Sequence, residues 1–213
     1  MFKNRSDAGA RLAARLQHLA GEDTTVLALP RGGVVVAYEI AKALTAPLDV
    51  VLVRKLGAPG QPELAIGAVV ESEKPETVTN PEIVRALNIS EAFLEQEAAR
   101  QREEIARRRE RYRGGRPRLS IKNRTVIVVD DGIATGATMR AALRVIAREG
   151  PARLVLAVPV APPEAVERLA KEVDEIVCLE TPFDLGAIGY FYADFRQTPD
   201  EEVIDLLKRA NAA

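Results

Sequence analysis

The stretch VIVVDDGIATGATM, residues 126–139, sets two adjacent aspartates between an apolar run and a loop of Gly, Ala and Thr. The two halves suit different chemistry. A loop of small residues entering a helix exposes successive backbone N–H groups. Together with the positive end of the helix dipole, these form a cradle for a phosphate. Ile133, Ala134, Thr135, Gly136, Ala137 and Thr138 make up that loop. Gly136 lets the backbone come close, and the two threonines add hydroxyl donors. Asp130 and Asp131 would repel a phosphate at contact distance, but suit hydroxyl donors or metal-bound water. A ribose carries its hydroxyls about one sugar-width from its 5′-phosphate. The pattern therefore reads as a ribose 5-phosphate site, against the plainer alternative of a strand end with an N-cap pair and a tight turn.

Two further loops carry unusual residues after apolar runs. TTVLAL, residues 24–29, ends at Pro30, Arg31, Gly32 and Gly33, and VVVAYEIAKAL then reads as a helix. LDVVLVRK, residues 48–55, reads as one buried strand ending in Arg54 and Lys55, followed by a Gly- and Pro-rich loop, GAPGQPE. LAIGAVVES and TVTN read as further strands. Ser90 is a plausible N-cap for a long charged helix whose apolar stripe, Phe93, Leu94 and Ile105, is thin. That helix would cover part of the core or form a dimer contact. NRTVIVVDD, RLVLAVPV and EIVCLE are strands separated by helical patterns, and Asp200 starts a last helix. Apolar strands alternating with helices imply an α/β fold with a mainly parallel sheet flanked by helices. Ligands in such sheets sit beyond the carboxyl ends of the strands, where the three loops lie.

Composition narrows the chemistry. The 213 residues are 47% hydrophobic with a formal net charge of −1, which gives no argument for DNA or an anionic membrane as partner. The chain has one cysteine, Cys178, and one histidine, His18, so thiol–imidazole catalysis and Cys- or His-based zinc sites are nearly excluded. Cys178 reads as a buried structural thiol and His18 as an ordinary helix residue. No stretch is apolar enough to span a membrane and the N-terminal residues lack a secretion signal, so a cytoplasmic protein is expected.

VIVVDDGIATGATM resembles the phosphoribosyl diphosphate (PRPP) motif of type I phosphoribosyltransferases. LPRGGV resembles that family's pyrophosphate loop, and VRKLG its Arg-Lys stretch. The chain as a whole is most similar to a bacterial group of phosphoribosyltransferases with no settled substrate. The resemblance implies a single domain over 1–213 with a Rossmann-like core, a helical insertion at 80–118 and a C-terminal hood at 180–213. It implies a cytoplasmic nucleotide-salvage glycosyltransferase, dimeric, that uses PRPP and Mg²⁺ and transfers phosphoribosyl to a nitrogenous base. Catalytic roles then fall to Asp130, Asp131, Arg31 and Lys55. PRPP would be bound by Arg31, Gly32, Gly33, Arg54, Lys55, the two aspartates and residues 133–138. Asp130 and Asp131 would reach the metal largely through PRPP or water.

The acceptor base would stack on rings from the aromatic-rich segment with Phe183, Tyr190, Phe191 and Tyr192, unless these pack into the core. A lid is expected from residues 57–62 or from 113–119, the latter bringing Arg113 and Arg116 to the pyrophosphate. Enzymes acting on 6-oxopurines usually carry an Asp where this chain has Ala134, so adenine or a non-purine acceptor is favoured. The rival to catalysis is a non-catalytic regulator that senses PRPP or nucleotide on the same fold.

Overall fold

The structure, a computed structural model, describes residues 1–72 and 75–212. A first helix, α1 (Arg5–Arg15), leads to strand β1 (Thr24–Ala28), helix α2 (Gly32–Leu44) and strand β2 (Leu48–Val50). Next come β3 (Val53–Ala58), β4 (Gln61–Val70) and β5 (Glu76–Thr79). Two helices follow, α3 (Pro81–Ala86) and α4 (Glu91–Arg113). Strand and helix then alternate through β6 (Thr125–Val129), α5 (Ala137–Arg148), β7 (Arg153–Val160), α6 (Pro163–Leu169) and β8 (Glu175–Glu180), and α7 (Asp200–Ala210) closes the order.

Five strands form one parallel sheet in the order β2-β1-β6-β7-β8. Every residue of β1 and β6 is buried, as continuous apolar runs in a doubly covered sheet require. Alternate side chains go to opposite layers. Val26, Ala28, Ile127, Val129 and Val155 pack with residues of α1, α2, α4 and α7, whereas Leu27, Val126, Val128 and Leu156 pack with α5 and α6.

The expected strand at 48–55 is two strands. Val51 still donates to the Ala28 carbonyl at 2.9 Å, but Leu52 already accepts from Glu71 at 2.8 Å. The chain thus changes partner there, and β3 joins a separate antiparallel sheet in the order β3-β4-β5. An apolar run cannot show such a change, because residues 48–52 are buried on both sides of it. GAPGQPE, expected as a loop, mostly lies in the β3–β4 hairpin, and Gly60 takes a φ of 71° at its turn.

Ser90 caps α4 by accepting from Phe93 N–H at 3.2 Å, and Gly114 ends it at φ 54°. Ala98, Ile105 and Tyr112 supply its buried apolar stripe. The expected place of Arg113 as a lid cation facing the pyrophosphate is corrected here. Arg113 is only 4% exposed and donates to Asp49 Oδ1 at 2.8 Å, to Glu71 and to the Val50 carbonyl. Leu119 N–H also donates to Asp49, at 3.0 Å. A guanidinium with this many buried partners fastens α4 to β2 and to Glu71, just beyond β4. Among the described residues no helix is long and apolar enough to cross a membrane.

Candidate functional site

Strand β1 has β2 on one side and β6 on the other, so the strand order reverses at β1 and β6. The PRGG and DDG loops leave these neighbouring strands at their carboxyl ends, at the crevice where α/β sheets take ligands. Leu29 N–H donates to the Val129 carbonyl at 2.9 Å, which carries the ladder up to the two loops. The peptide bond between Pro30 and Arg31 is cis.

The glycines are set by contact between the loops. A Cβ on Gly32 would lie 1.9 Å from Asp131 Oδ2, and one on Gly33 would lie 3.0 Å from the Asp130 Cα. Helix α2 therefore starts directly against the aspartate pair. Asp130 accepts from the Asp131 N–H at 2.8 Å. Burial, and then the neighbouring Asp131 charge, push the Asp130 carboxyl well above the ordinary carboxylate range. Asp131 is an ion pair with Arg5, whose Nε lies 2.7 Å from Oδ2. The Asp131 carbonyl accepts from the Tyr192 hydroxyl at 2.6 Å.

The small-residue loop is held at one end and open at the other. Ile133 is buried and its N–H donates to the Val160 carbonyl at 2.9 Å. Ala134, Thr135, Ala137 and Thr138 are exposed. Gly136 sits at the N-cap of α5 with φ 77°, a left-handed conformation that favours glycine, and no side chain caps the helix. The first turn of α5 thus presents N–H groups at the surface. A cleft of about 430 Å³ joins Ala137 and Thr138 to Lys55, with Arg85, Arg140 and Arg144 also on its walls. Glu82 also lines the cleft, and Arg140 and Arg144 are both paired with Glu172, at 2.7 and 2.9 Å.

Not every expected residue meets here. Arg54 donates to Gln101 of α4 at 3.0 Å, so it turns toward the helical segment. Arg31 is half-buried and stands at the N-cap position of α2. Phe183 and Tyr190 are exposed at 93% and 75%. Phe191 is half-buried. Tyr192 is only 5% exposed and packs on Phe2 and Phe195, with ring centroids 5.3 and 4.9 Å away. Its ring is a packing element, which corrects its expected place as a stacking platform. Burial of that ring, and then the Asp131 charge, push the hydroxyl pKa upward and keep it a donor. His18 is exposed and bonds to Glu175, and burial pushes the half-buried Cys178 thiol up to about 11.

Sequence reasoning missed Arg5. Its helix shows only an ordinary amphipathic pattern, and its partner lies 126 residues away, so no local signal marks it. Among the described residues no group of three or more His, Cys, Asp or Glu could hold a metal ion.

Comparison with known proteins places this arrangement. A family model described as phosphoribosyl transferase domain matches residues 2–194. A Mycobacterium tuberculosis H37Rv protein named "Putative phosphoribosyl transferase Rv0571c" is 48% identical over 211 residues, 99% of this chain and 47% of the relative. The chain thus spans about half the length of the curated relatives it matches. The crystal structure of TT1426 from Thermus thermophilus is 52% identical, covers 98% of both chains and gives a TM-score of 0.84. AQ2163 from Aquifex aeolicus, at 13% identity and a TM-score of 0.50, shares the fold over 83% of this chain and 74% of its own. The aspartate–glycine crevice thus lies within a match running from Phe2 to Asp194, and the chain belongs to the phosphoribosyl transferase domain family.

Proposed function

We propose that this chain transfers the 5-phosphoribosyl group of PRPP to the nitrogen of a base and releases pyrophosphate. The observation that carries the reading is the aspartate pair packed on Gly32 and Gly33, one short loop from the uncapped head of α5. In this reading Asp130 and Asp131 accept from the ribose hydroxyls. Residues 134–138 hold the 5′-phosphate through backbone N–H groups, and buried Ile133, whose N–H is bound to the Val160 carbonyl, anchors the loop. Arg31, with the Gly32 and Gly33 N–H groups, and Lys55 face the pyrophosphate. The base nitrogen forms its bond to C1 as the C1–oxygen bond to pyrophosphate breaks, through an oxocarbenium-like transition state. The leaving group takes the bonding electrons, and the proton on the attacking nitrogen passes to solvent or a neighbouring base.

The Asp130 and Asp131 oxygens would be the chain's donors to a hard oxygen-seeking cation such as Mg²⁺, reached largely through PRPP or water, and a bound cation would favour the ionised form of Asp130. PRPP oxygens and water would supply the rest of its shell. Bound Mg²⁺ would neutralise charge on the leaving group. The chain's own part is to bind and orient the sugar. Exposed Phe183 and Tyr190 have ring surface to offer a base.

The acceptor reading rests on Ala134, which is exposed in the loop and carries no proton acceptor. A positioned general base typically contributes about 10²–10⁴-fold in rate. Hypoxanthine, guanine and xanthine are therefore expected to be poorer acceptors than adenine or a non-purine base. The test is incubation with PRPP, Mg²⁺ and a panel of bases, read by mass spectrometry of the nucleotide product. Faster conversion of guanine or hypoxanthine than of any other base refutes the acceptor assignment. PRPP binding with no product from any base would favour the sensing regulator, and no PRPP binding would sink the whole reading.

A further inference from the structure

Arg5 belongs to α1, outside every segment the sequence marks for chemistry. Its Nε donates to Asp131 Oδ2 at 2.7 Å and its Nη1 to the Arg196 carbonyl at 2.7 Å. Its guanidinium carbon lies 3.9 Å from the centroid of the Phe195 ring. The Arg5 and Asp131 side chains keep only 11% and 16% of their surface exposed, so water screens the pair weakly. A Cβ on Gly32 would meet Asp131 Oδ2 at 1.9 Å and Arg5 Nε at 2.6 Å, so the pair sits at the head of α2. Tyr192 fixes the same aspartate from its carbonyl side.

Two neighbouring carboxylates repel, and left alone each would turn toward water. Arg5 offsets this at one oxygen of one of them. Resting on the PRPP reading above, we propose that Arg5 is a positioning residue of the ribose site. It grips Asp131 Oδ2 so that the other carboxylate oxygen accepts from a sugar hydroxyl, and it thereby makes the site select a hydroxyl-bearing phosphorylated sugar over phosphate alone. Arg5 turns its Nε to the carboxylate, its Nη1 to a carbonyl and its face to a ring, and its assigned action is through Asp131. The competing role is a plain tether between α1 and residues 195–196.

The two roles separate in calorimetric titrations of the full chain. The ligands are ribose 5-phosphate and inorganic pyrophosphate, which carries phosphates but no sugar hydroxyls. Arg5→Met is expected to weaken ribose 5-phosphate by about tenfold to hundredfold, the range for a charge-assisted hydrogen bond. Pyrophosphate should change by no more than about twofold. In an Asp131→Asn background, Arg5→Met should add no more than about twofold, because its route of action is gone. Arg5→Lys should recover part of the lost affinity. If Arg5→Met does not fold, Arg5→Gln carries the same comparison. Equal losses for both ligands, or full additivity with Asp131→Asn, overturn the proposal and leave Arg5 a tether. Unchanged ribose 5-phosphate binding in both neutral variants overturns it as well, with the PRPP reading intact. Unmodified protein that binds pyrophosphate but neither ribose 5-phosphate nor PRPP overturns the ribose reading itself, and Arg5's role with it.

Discussion

Gly32 shows how closely the two site loops are fitted. The atom its missing Cβ would strike is the free end of a side chain, Asp131 Oδ2 at 1.9 Å, and not backbone. Such an atom can swing aside, so Gly32→Ala should disturb the carboxylate more than the fold. Alanine also favours the start of α2 by up to about 1 kcal/mol relative to glycine. The expected outcome is a loss of at least about tenfold in ribose 5-phosphate affinity, since a charge-assisted hydrogen bond is misdirected. The melting temperature should move by only a few degrees, about what 1 kcal/mol produces. Calorimetric titration beside a thermal melt checks both. A large drop in melting temperature with unchanged affinity would show that the glycine serves the fold. At this scale the sequence is informative where the chemistry is contiguous. Asp130, Asp131 and residues 133–138 follow one another, and the structure sets 130–136 as the loop between β6 and α5 and 137–138 in the first turn of α5. Arg5 could not be read, because nothing near it in the chain hints at Asp131. Tyr192 stands out in the sequence for its ring, whereas its contact with the site is through the hydroxyl.

Among the elements, α4 shows how a charged segment can mislead. Arg113 stands just before two glycines, which suggests a mobile loop cation. Asp49 of β2 and Glu71 beyond β4 come to it from distant parts of the chain and bury it. Removing one partner from such a cluster leaves uncompensated charge in the interior, at a cost of about 3–5 kcal/mol. Arg113→Met should lower stability to urea by that amount. PRPP affinity measured where the variant is still folded should stay within about twofold, as for a change away from the site. A lid residue would give the reverse pattern, with turnover lost and stability kept. The division between β2 and β3 is hidden for a related reason. Burial sets the residue types, but the choice of neighbouring strand is made by pairing with β4, which hydrophobic pattern does not encode.

At the scale of the whole molecule, the site is closed by two segments far apart in the chain. Phe2 N–H donates to the Phe191 carbonyl at 2.7 Å, Ala193 N–H returns to the Phe2 carbonyl at 2.8 Å, and Asp194 N–H donates to Lys3 at 3.0 Å. The parallel core was legible because its strands are continuously apolar, a property each strand carries by itself. This closure was not, because it joins residues 2–5 to residues 191–196 and no local pattern spans that gap. Phe2 anchors it, with 1% of its surface exposed and its ring 5.3 Å from Tyr192. Through Tyr192 the anchor reaches the Asp131 carbonyl, and through Arg5 it reaches the Asp131 carboxylate. Phe2→Ala should therefore cost about 3–5 kcal/mol of stability, the usual range for emptying a buried phenylalanine site. It should also weaken ribose 5-phosphate binding, though less than Arg5→Met does, because Arg5 keeps its own contact with the aspartate. Urea denaturation gives the first quantity, and titration of the folded variant at low temperature gives the second. Ribose 5-phosphate affinity unchanged despite the full stability loss would mean that the joined ends support the fold alone, and that Asp131 is held by Arg5 without help from the aromatic cluster.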